Sequence, residues 1–136
     1  MSDYTICALT DVPDIFEGQY PGAMRFLTEY IEAQQIALTH RLMPPQSGGK
    51  GSHGHRHKTQ EEIYFVLSGT LQFKLDEQII DVPSGSAIRV APAVARSIWN
   101  DGPDDAELVI CSIRLEDPRA DGELIEDFWP VNGAAT

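Results

Sequence analysis

The sequence lacks several features that would assign it to other classes of protein. It has only two cysteines, Cys7 and Cys111, which are too few for a disulfide framework and lie among apolar neighbours, as buried free thiols do. No apolar run approaches the length of a transmembrane helix, and the first residues lack the basic start and apolar run of a signal peptide. We therefore expect a cytoplasmic protein built around a single hydrophobic core.

Basic residues are scarce, because ten lysines and arginines stand against 21 aspartates and glutamates. The net charge is −11, and ten of the acidic residues lie beyond residue 100, where only Arg114 and Arg119 oppose them. A surface of this sign repels polyanions, so we expect no nucleic-acid partner and no binding to an anionic membrane. The sequence also contains no Gly-x-Ser-x-Gly elbow and no phosphate loop.

Short β-rich segments separated by glycine and proline fill most of the chain, and no long amphipathic helix interrupts them. This pattern predicts an all-β sandwich or barrel. Ser68-Gly69 and Asp76-Glu77 are predicted to form two successive hairpin turns. Strands are predicted over residues 4–9, 24–31, 35–42, 62–67, 70–75, 78–82, 87–90, 96–100 and 107–115.

The chain length predicts a single domain. Its parts are a barrel over about 24–115, an N-terminal arm over 1–23 and an acidic tail over 116–136. In the tail, Phe128 and Trp129 are expected to anchor the segment to the barrel. The strand over 62–67 is apolar on both faces apart from Glu62, so it is either buried on both sides or covered by a second chain.

Three of the four histidines occupy alternate positions in one glycine-rich segment, at His53, His55 and His57. In an extended segment their side chains share one face. Glu61 and Glu62 follow at the start of an apolar, β-rich run. Imidazole nitrogens and carboxylate oxygens are ligands that borderline divalent metals accept. The pattern therefore predicts a metal site on a β scaffold.

The fourth histidine, His40, lies in a strand in which Ile36, Leu38 and Leu42 share its face. Because the apolar face of a strand normally turns to the core, the alternation predicts that His40 points into the barrel. There it can act as a further ligand, as a base or in substrate binding, or it can be an interior histidine with its hydrogen bonds satisfied.

Two segments resemble the conserved motifs of the cupins. The first motif has a counterpart in His55-x-His57-x(4)-Glu62-x(6)-Gly69, with Gly51 upstream. The second has a counterpart in the segment from Gly85 to Asn100, which keeps the glycine, the proline and the closing asparagine. The resemblance implies a double-stranded β-helix, or jelly-roll barrel, with a metal inside and often a homodimer. Its implied metal ligands are His55, His57 and Glu62.

One position departs from the family pattern, because Arg96 stands where the second motif usually supplies a metal-ligating histidine. A guanidinium has no free lone pair and cannot ligate a metal. Three interpretations remain open. In the first, the three other ligands suffice for a metal, as in two-histidine-one-carboxylate iron sites. In the second, a metal-free barrel uses Arg96 to bind a carboxylate or phosphate. In the third, the histidines are solvated and bind nothing specific.

These observations predict an enzyme that uses Fe²⁺, Mn²⁺, Zn²⁺ or Ni²⁺ to oxygenate or isomerise a small anionic molecule held between the metal and Arg96. The alternative is a non-catalytic cupin, with or without a metal, that binds or senses a small molecule and uses Arg96 as the anion anchor. His40 or His53 can complete the ligand set, and Tyr64, on the face of Glu62, is a candidate substrate-binding residue. The sequence assigns no catalytic residue.

Overall fold

A computed structural model describes residues 3–131. Nearly all of the regular secondary structure is antiparallel β-strand, which confirms the predicted all-β jelly-roll barrel. A four-residue helix, α1 (Pro118–Asp121), precedes the last strand. No helix in the described part of the chain is long and apolar enough to cross a membrane. The strands are β1 (Ala23–Phe26), β2 (Ile36–Met43), β3 (Ser47–Gly48), β4 (Gly54–His57), β5 (Glu62–Ser68), β6 (Thr70–Leu75), β7 (Gln78–Pro83), β8 (Ala87–Val90), β9 (Arg96–Asn100), β10 (Ala106–Ile113) and β11 (Gly122–Ile125).

The strands form two sheets that enclose the interior of the barrel. One sheet has the order β1-β2-β10-β5-β8, and the other has the order β11-β4-β9-β6-β7 with the short β3 paired to β9. The hairpin between β6 and β7 turns at Asp76-Glu77, as the sequence predicts. Asp76 has a φ of 50°, the left-handed conformation that aspartate tolerates better than most residues.

The prediction of a hairpin at Ser68-Gly69 is wrong, because the chain passes from one sheet to the other at this point. β5 belongs to the first sheet and β6 to the second. Gly69 has a φ of 74°, which a residue without a Cβ adopts readily. A Cβ at this position would lie 2.8 Å from the backbone oxygen of Asp105, so the crossing also depends on close approach to the segment before β10.

Two strand predictions near the N-terminus are corrected. Residues 4–9 pair with no strand in the described part of the chain and lead into a single 3-10 turn at Leu9–Asp11. The predicted strand over 24–31 is shortened to its first part, β1. Its remainder closes a turn in which the backbone N–H of Ala33 donates to the carbonyl oxygen of Thr28.

The residues of β2 alternate as predicted, but the two faces are exchanged. Thr39 and Arg41 line the central cavity, while Ile36 lies on the outer side of the sheet and is 55% exposed. His40 therefore points away from the cavity, and its Nε2 lies 3.1 Å from Oε2 of Glu107. The prediction that His40 faces the interior is wrong because the cavity side of β2 carries Thr39 and Arg41, so the face with more apolar residues is the outer one.

An apolar core fills one part of the barrel and supports the cavity in the other. Tyr64 and Ile98 belong to the core and also line the cavity, so the core forms the cavity floor. The cavity has a volume of about 1240 Å³, which is ample for a small molecule. The core residues are Met43, Tyr64, Val66, Leu71, Phe73, Val82, Val90, Ile98, Ala106 and Leu108.

The acidic tail contributes a strand to the barrel. β11 pairs with β4, which extends the second sheet beyond the predicted barrel end at residue 115. Trp129 is buried, and its carbonyl oxygen accepts a hydrogen bond from the backbone N–H of Gly51. The ring of Phe128 lies 3.9 Å from the ammonium group of Lys74. These two aromatic residues hold the tail against the barrel, as expected from the sequence.

Candidate metal and ligand site

β4 and the start of β5 bring three potential metal ligands together at the cavity wall. His55 and His57 are two residues apart on β4, so both imidazoles face the cavity, and β5 begins with Glu62 on its inner face. One ligand atom from each residue lies within 4.8 Å of the other two. The Nε2 atoms of His55 and His57 lie 3.6 and 3.4 Å from Oε1 of Glu62. The structure thus brings together the three residues that the resemblance implies as metal ligands.

The environment sets the protonation states that metal binding needs. Burial lowers the pKa of His57, which favours a neutral imidazole with a free lone pair. Burial also raises the pKa of Glu62, but hydrogen bonds from His55 and Tyr64 and the adjacent imidazoles outweigh it and hold the pKa at about 2. A neutral imidazole and an ionised carboxylate are the forms in which these groups ligate a metal.

The Nε2 atom of His57 is the clearest sign that the cluster fits a cation. It is buried and has no hydrogen-bond partner among residues 3–131, although it faces the carboxylate of Glu62. Buried polar atoms without a partner are rare, and a divalent ion between the imidazoles and the carboxylate would give this nitrogen a ligand bond. Two imidazoles and one carboxylate suit Fe²⁺, Mn²⁺, Zn²⁺ or Ni²⁺.

Asp121 supports His57 from the other side of the ring. Its Oδ2 lies 3.2 Å from Nδ1 of His57, although the angle is poor for a hydrogen bond. The carboxylate accepts hydrogen bonds from the hydroxyl and backbone N–H of Thr59 and from the backbone N–H of Gln60, at 2.6 to 2.9 Å. A carboxylate at this place orients a ligating histidine. Asp121 could not be predicted from the sequence, because no local pattern connects it with the histidines.

Tyr64 orients the carboxylate ligand. Its hydroxyl donates a hydrogen bond of 2.6 Å to Oε1 of Glu62. Burial raises the pKa of Tyr64 well above its usual value, so the hydroxyl stays protonated at neutral pH. The ring packs edge-on against Phe73, with 5.1 Å between the centroids. Since this hydroxyl proton is directed to Glu62, a direct role of Tyr64 in substrate binding stays a prediction.

Arg96 is completely buried beside Glu62. Its guanidinium donates hydrogen bonds of 3.2 to 3.4 Å to the backbone carbonyl oxygens of residues 90–92. Its Nε lies 3.8 Å from Oε1 of Glu62. The cation therefore ties the connection between β8 and β9 to the site, and the carboxylate of Glu62 counters its charge.

The remaining candidates lie outside the cluster. His53 is exposed on the loop before β4, where its Nδ1 lies 3.2 Å from the hydroxyl of Ser52, and it lines the cavity without joining the three ligands. Glu61 points to the outer surface and pairs with Arg89 at 3.0 Å. Neither His53 nor His40 completes the ligand set in the described part of the chain.

We expect Arg96→Met to lower the free energy of unfolding by about 3 kcal/mol, because Glu62 and the carbonyls of residues 90–92 lose a buried partner. Arg89→Met removes an exposed arginine that pairs with Glu61 and should change it by less than about 0.5 kcal/mol. Urea denaturation in the presence of a chelator measures both changes. Equal losses in the two variants would contradict the structural role assigned to Arg96.

The sequence matches known proteins in two comparisons. A family model described as the cupin domain matches residues 41–112, which is more than half of the chain. An uncharacterised protein of Methanocaldococcus jannaschii is 34% identical over 58 residues. That match covers 43% of this chain and 46% of the relative, so the chain spans about half the length of the curated protein it resembles.

Several solved structures share the fold at low sequence identity. A polyketide cyclase from Streptomyces resistomycificus has a TM-score of 0.70 at 18% identity, over 94% of this chain and 87% of the cyclase. A predicted oxalate decarboxylase from Thermotoga maritima has a TM-score of 0.62 at 21% identity, over 81% and 99%. A putative sugar phosphate isomerase from Acidithiobacillus ferrooxidans has a TM-score of 0.59 at 18% identity, over 77% and 76%. The motifs, the barrel and the family match together establish that this chain belongs to the cupin family.

Proposed function

We propose that this cupin holds one divalent metal on His55, His57 and Glu62 and acts on a small anionic molecule by oxygenase or isomerase chemistry. The observation that carries the proposal is the cluster of three ligand atoms within 4.8 Å of one another at the wall of a large cavity. Three protein ligands leave coordination positions open for a substrate. A bound ion would polarise an oxygen atom of the substrate, and iron would add reactivity toward dioxygen.

The residues around the cluster hold the ligands in place. Asp121 positions the ring of His57 through its second nitrogen, and Tyr64 fixes the carboxylate of Glu62. Arg96 balances the charge of Glu62 and braces the adjacent strand connection. These supports preorganise the ligands, so that binding energy is not lost in ordering them.

Two fold relatives are described by names that include small anions, and this is compatible with the proposed substrate class without selecting a reaction. They are described as a predicted oxalate decarboxylase and a putative sugar phosphate isomerase. Oxalate and sugar phosphates are both small anions. At 18 to 21% identity these likenesses show the fold alone, and one fold hosts many chemistries, so both reaction classes stay in the proposal.

Elemental analysis of untagged protein purified without chelator tests the metal site. We expect about one equivalent of a divalent metal per chain, and its loss from the His55→Ala/His57→Ala variant. His53→Ala is the matched control, because this histidine belongs to the same segment but lies outside the ligand cluster. A double variant that retains the metal content of the parent would refute the assignment of the ligands.

The second candidate is a metal-free cupin that binds or senses a small molecule. Arg96, in place of the usual fourth ligand, favours it. Its guanidinium already donates to the carbonyls of residues 90–92, so an anion bound there would have to displace these bonds. Protein that contains no metal even after reconstitution with Fe²⁺, Mn²⁺, Zn²⁺ and Ni²⁺ would select this candidate over the metal-dependent enzyme.

We expect Asp121→Asn to weaken Zn²⁺ binding by about 10- to 100-fold, because a neutral amide no longer stabilises the orientation of His57. Glu123→Gln changes an exposed acid of the same segment, which pairs with Arg56, and should leave the affinity within about twofold of the parent. Competition with a chromophoric chelator measures the dissociation constants, and circular dichroism confirms that both variants are folded. An unchanged affinity in Asp121→Asn would remove its positioning role.

We also propose that two copies of the chain pair through the outer face of the five-stranded sheet. Five large apolar side chains on this face are 39 to 58% exposed: Ile36, Ile63, Phe65, Leu67 and Ile113. The strand registers place them on one side of β2, β5 and β10. An apolar patch on the surface of a protein with such a high net charge is typical of a protein–protein interface. In a homodimer with two-fold symmetry, the same patch is covered on both copies.

Phe65→Lys tests the dimer, since it places a charge within the apolar patch. We expect the parent to sediment as a dimer at micromolar concentration and Phe65→Lys to sediment as a monomer in analytical ultracentrifugation. Ile79→Lys is the control, because Ile79 is 53% exposed on the other sheet, and this variant should remain dimeric. A monomeric parent, or a dimeric Phe65→Lys, would contradict the proposed interface.

A further inference from the structure

Arg41 is a charged residue of the cavity that the metal cluster does not use. It lies on the inner face of β2 and lines the same cavity as the three potential ligands. Burial lowers the pKa of its guanidinium, which nonetheless remains a cation at physiological pH. Its Nε is buried and has no hydrogen-bond partner among residues 3–131.

The other two arginines of the cavity wall are already engaged. Arg96 donates to backbone carbonyls through its terminal nitrogens, and its Nε, which also lacks a hydrogen-bond partner among residues 3–131, lies 3.8 Å from the carboxylate of Glu62. Arg114 pairs with Glu29 and donates to the carbonyl oxygen of Ala33. No salt bridge of the described residues includes Arg41. A largely buried cation without a counter-charge has lost favourable hydration and gained no ion pair in return. An anion that enters the cavity would supply this missing interaction.

Phe16 leaves the donor edge of Arg41 available to a ligand. The Cζ of Arg41 lies 5.8 Å from the centroid of the Phe16 ring, so the ring covers part of the guanidinium by a cation–π contact. The loop that carries Phe16 is fixed by Asp14, whose carboxylate accepts hydrogen bonds from the backbone N–H groups of Phe16 and Met24. The guanidinium is therefore held by packing, while its N–H donors keep their capacity for an acceptor.

We propose that Arg41 binds the carboxylate or phosphate group of a small ligand whose other end reaches His55, His57 and Glu62. Both anionic groups accept two parallel N–H bonds from one guanidinium. Thr39 lies two residues away on the same face of β2 and also lines the cavity. The placement of the far end of the ligand rests on the proposed metal function, whereas anion binding by Arg41 does not require the metal.

The experiment measures anion binding by the metal-free protein at constant ionic strength. Inorganic phosphate and succinate are the probes, and uncharged succinamide is the control ligand. We expect at least one anion to bind and succinamide not to bind. Arg41→Met should weaken anion binding at least about tenfold, and Arg41→Lys, which keeps the charge but not the planar fork, should have an intermediate affinity. Arg89→Gln removes the same charge from the outer surface and should leave the affinity within about twofold of the parent.

Two results would overturn the inference. One is that the parent and Arg41→Met bind the anions with equal affinity. The other is that the parent binds neither anion. Thermal unfolding without ligand checks the fold, and Arg41→Met should melt no lower than the parent because it removes an unpaired buried charge. The tighter of the two probes identifies the ligand as a carboxylate or as a phosphate.

Metal content, measured on the same preparations, separates this inference from the proposed function. A chain that binds no metal but binds succinate or phosphate through Arg41 would support the inference and refute the metal-dependent enzyme. A chain that binds metal on the three ligands, with anion affinity unaffected by Arg41→Met, would support the metal site and refute the inference.

Discussion

The ionised carboxylate of Glu62 is the group on which the site depends. A single oxygen, Oε1, accepts a hydrogen bond from the hydroxyl of Tyr64, faces the imidazoles of His55 and His57, and lies near the guanidinium of Arg96. These partners come from β4, β5 and β9, so one negative charge links three strands across both sheets. Without this carboxylate, the buried cation of Arg96 would face the imidazole nitrogens of His55 and His57 with no negative charge between them.

At the level of the cavity, the five-stranded sheet has charged residues on its inner face and large apolar residues on its outer face. Arg41 and Glu62 face inward, while Ile36, Ile63 and Phe65 lie on the outer face of the same sheet. Both faces are consistent with binding, since the inner face encloses space for a small charged ligand and the outer face offers an apolar surface. The sheet can therefore serve a ligand site and a subunit contact with alternate residues of the same strands.

Much of the fold and the three ligands could be predicted because the relevant information is local. Alternation defines the strands, and His55 and His57 are separated by one residue, so their shared face follows from strand geometry. Alternation does not say which face of a strand is inside, and this reversed the placement of His40. The role of Asp121 depends on how β11 pairs with β4, a contact between distant parts of the chain that no local pattern records.

The pairing of β11 with β4 also determines when the site is completed during synthesis. The hydrogen bonds from Thr59 to Asp121 join residues that are 62 positions apart. His55, His57 and Glu62 are synthesised close together in time. Asp121, whose carboxylate lies beside His57, is synthesised only after β1 to β10. Contacts of such long range form late, because the intervening chain must first be ordered. If the proposed metal site is real, its full affinity would belong to the finished barrel, and a nascent or clipped chain without its last strand would hold the ion more weakly.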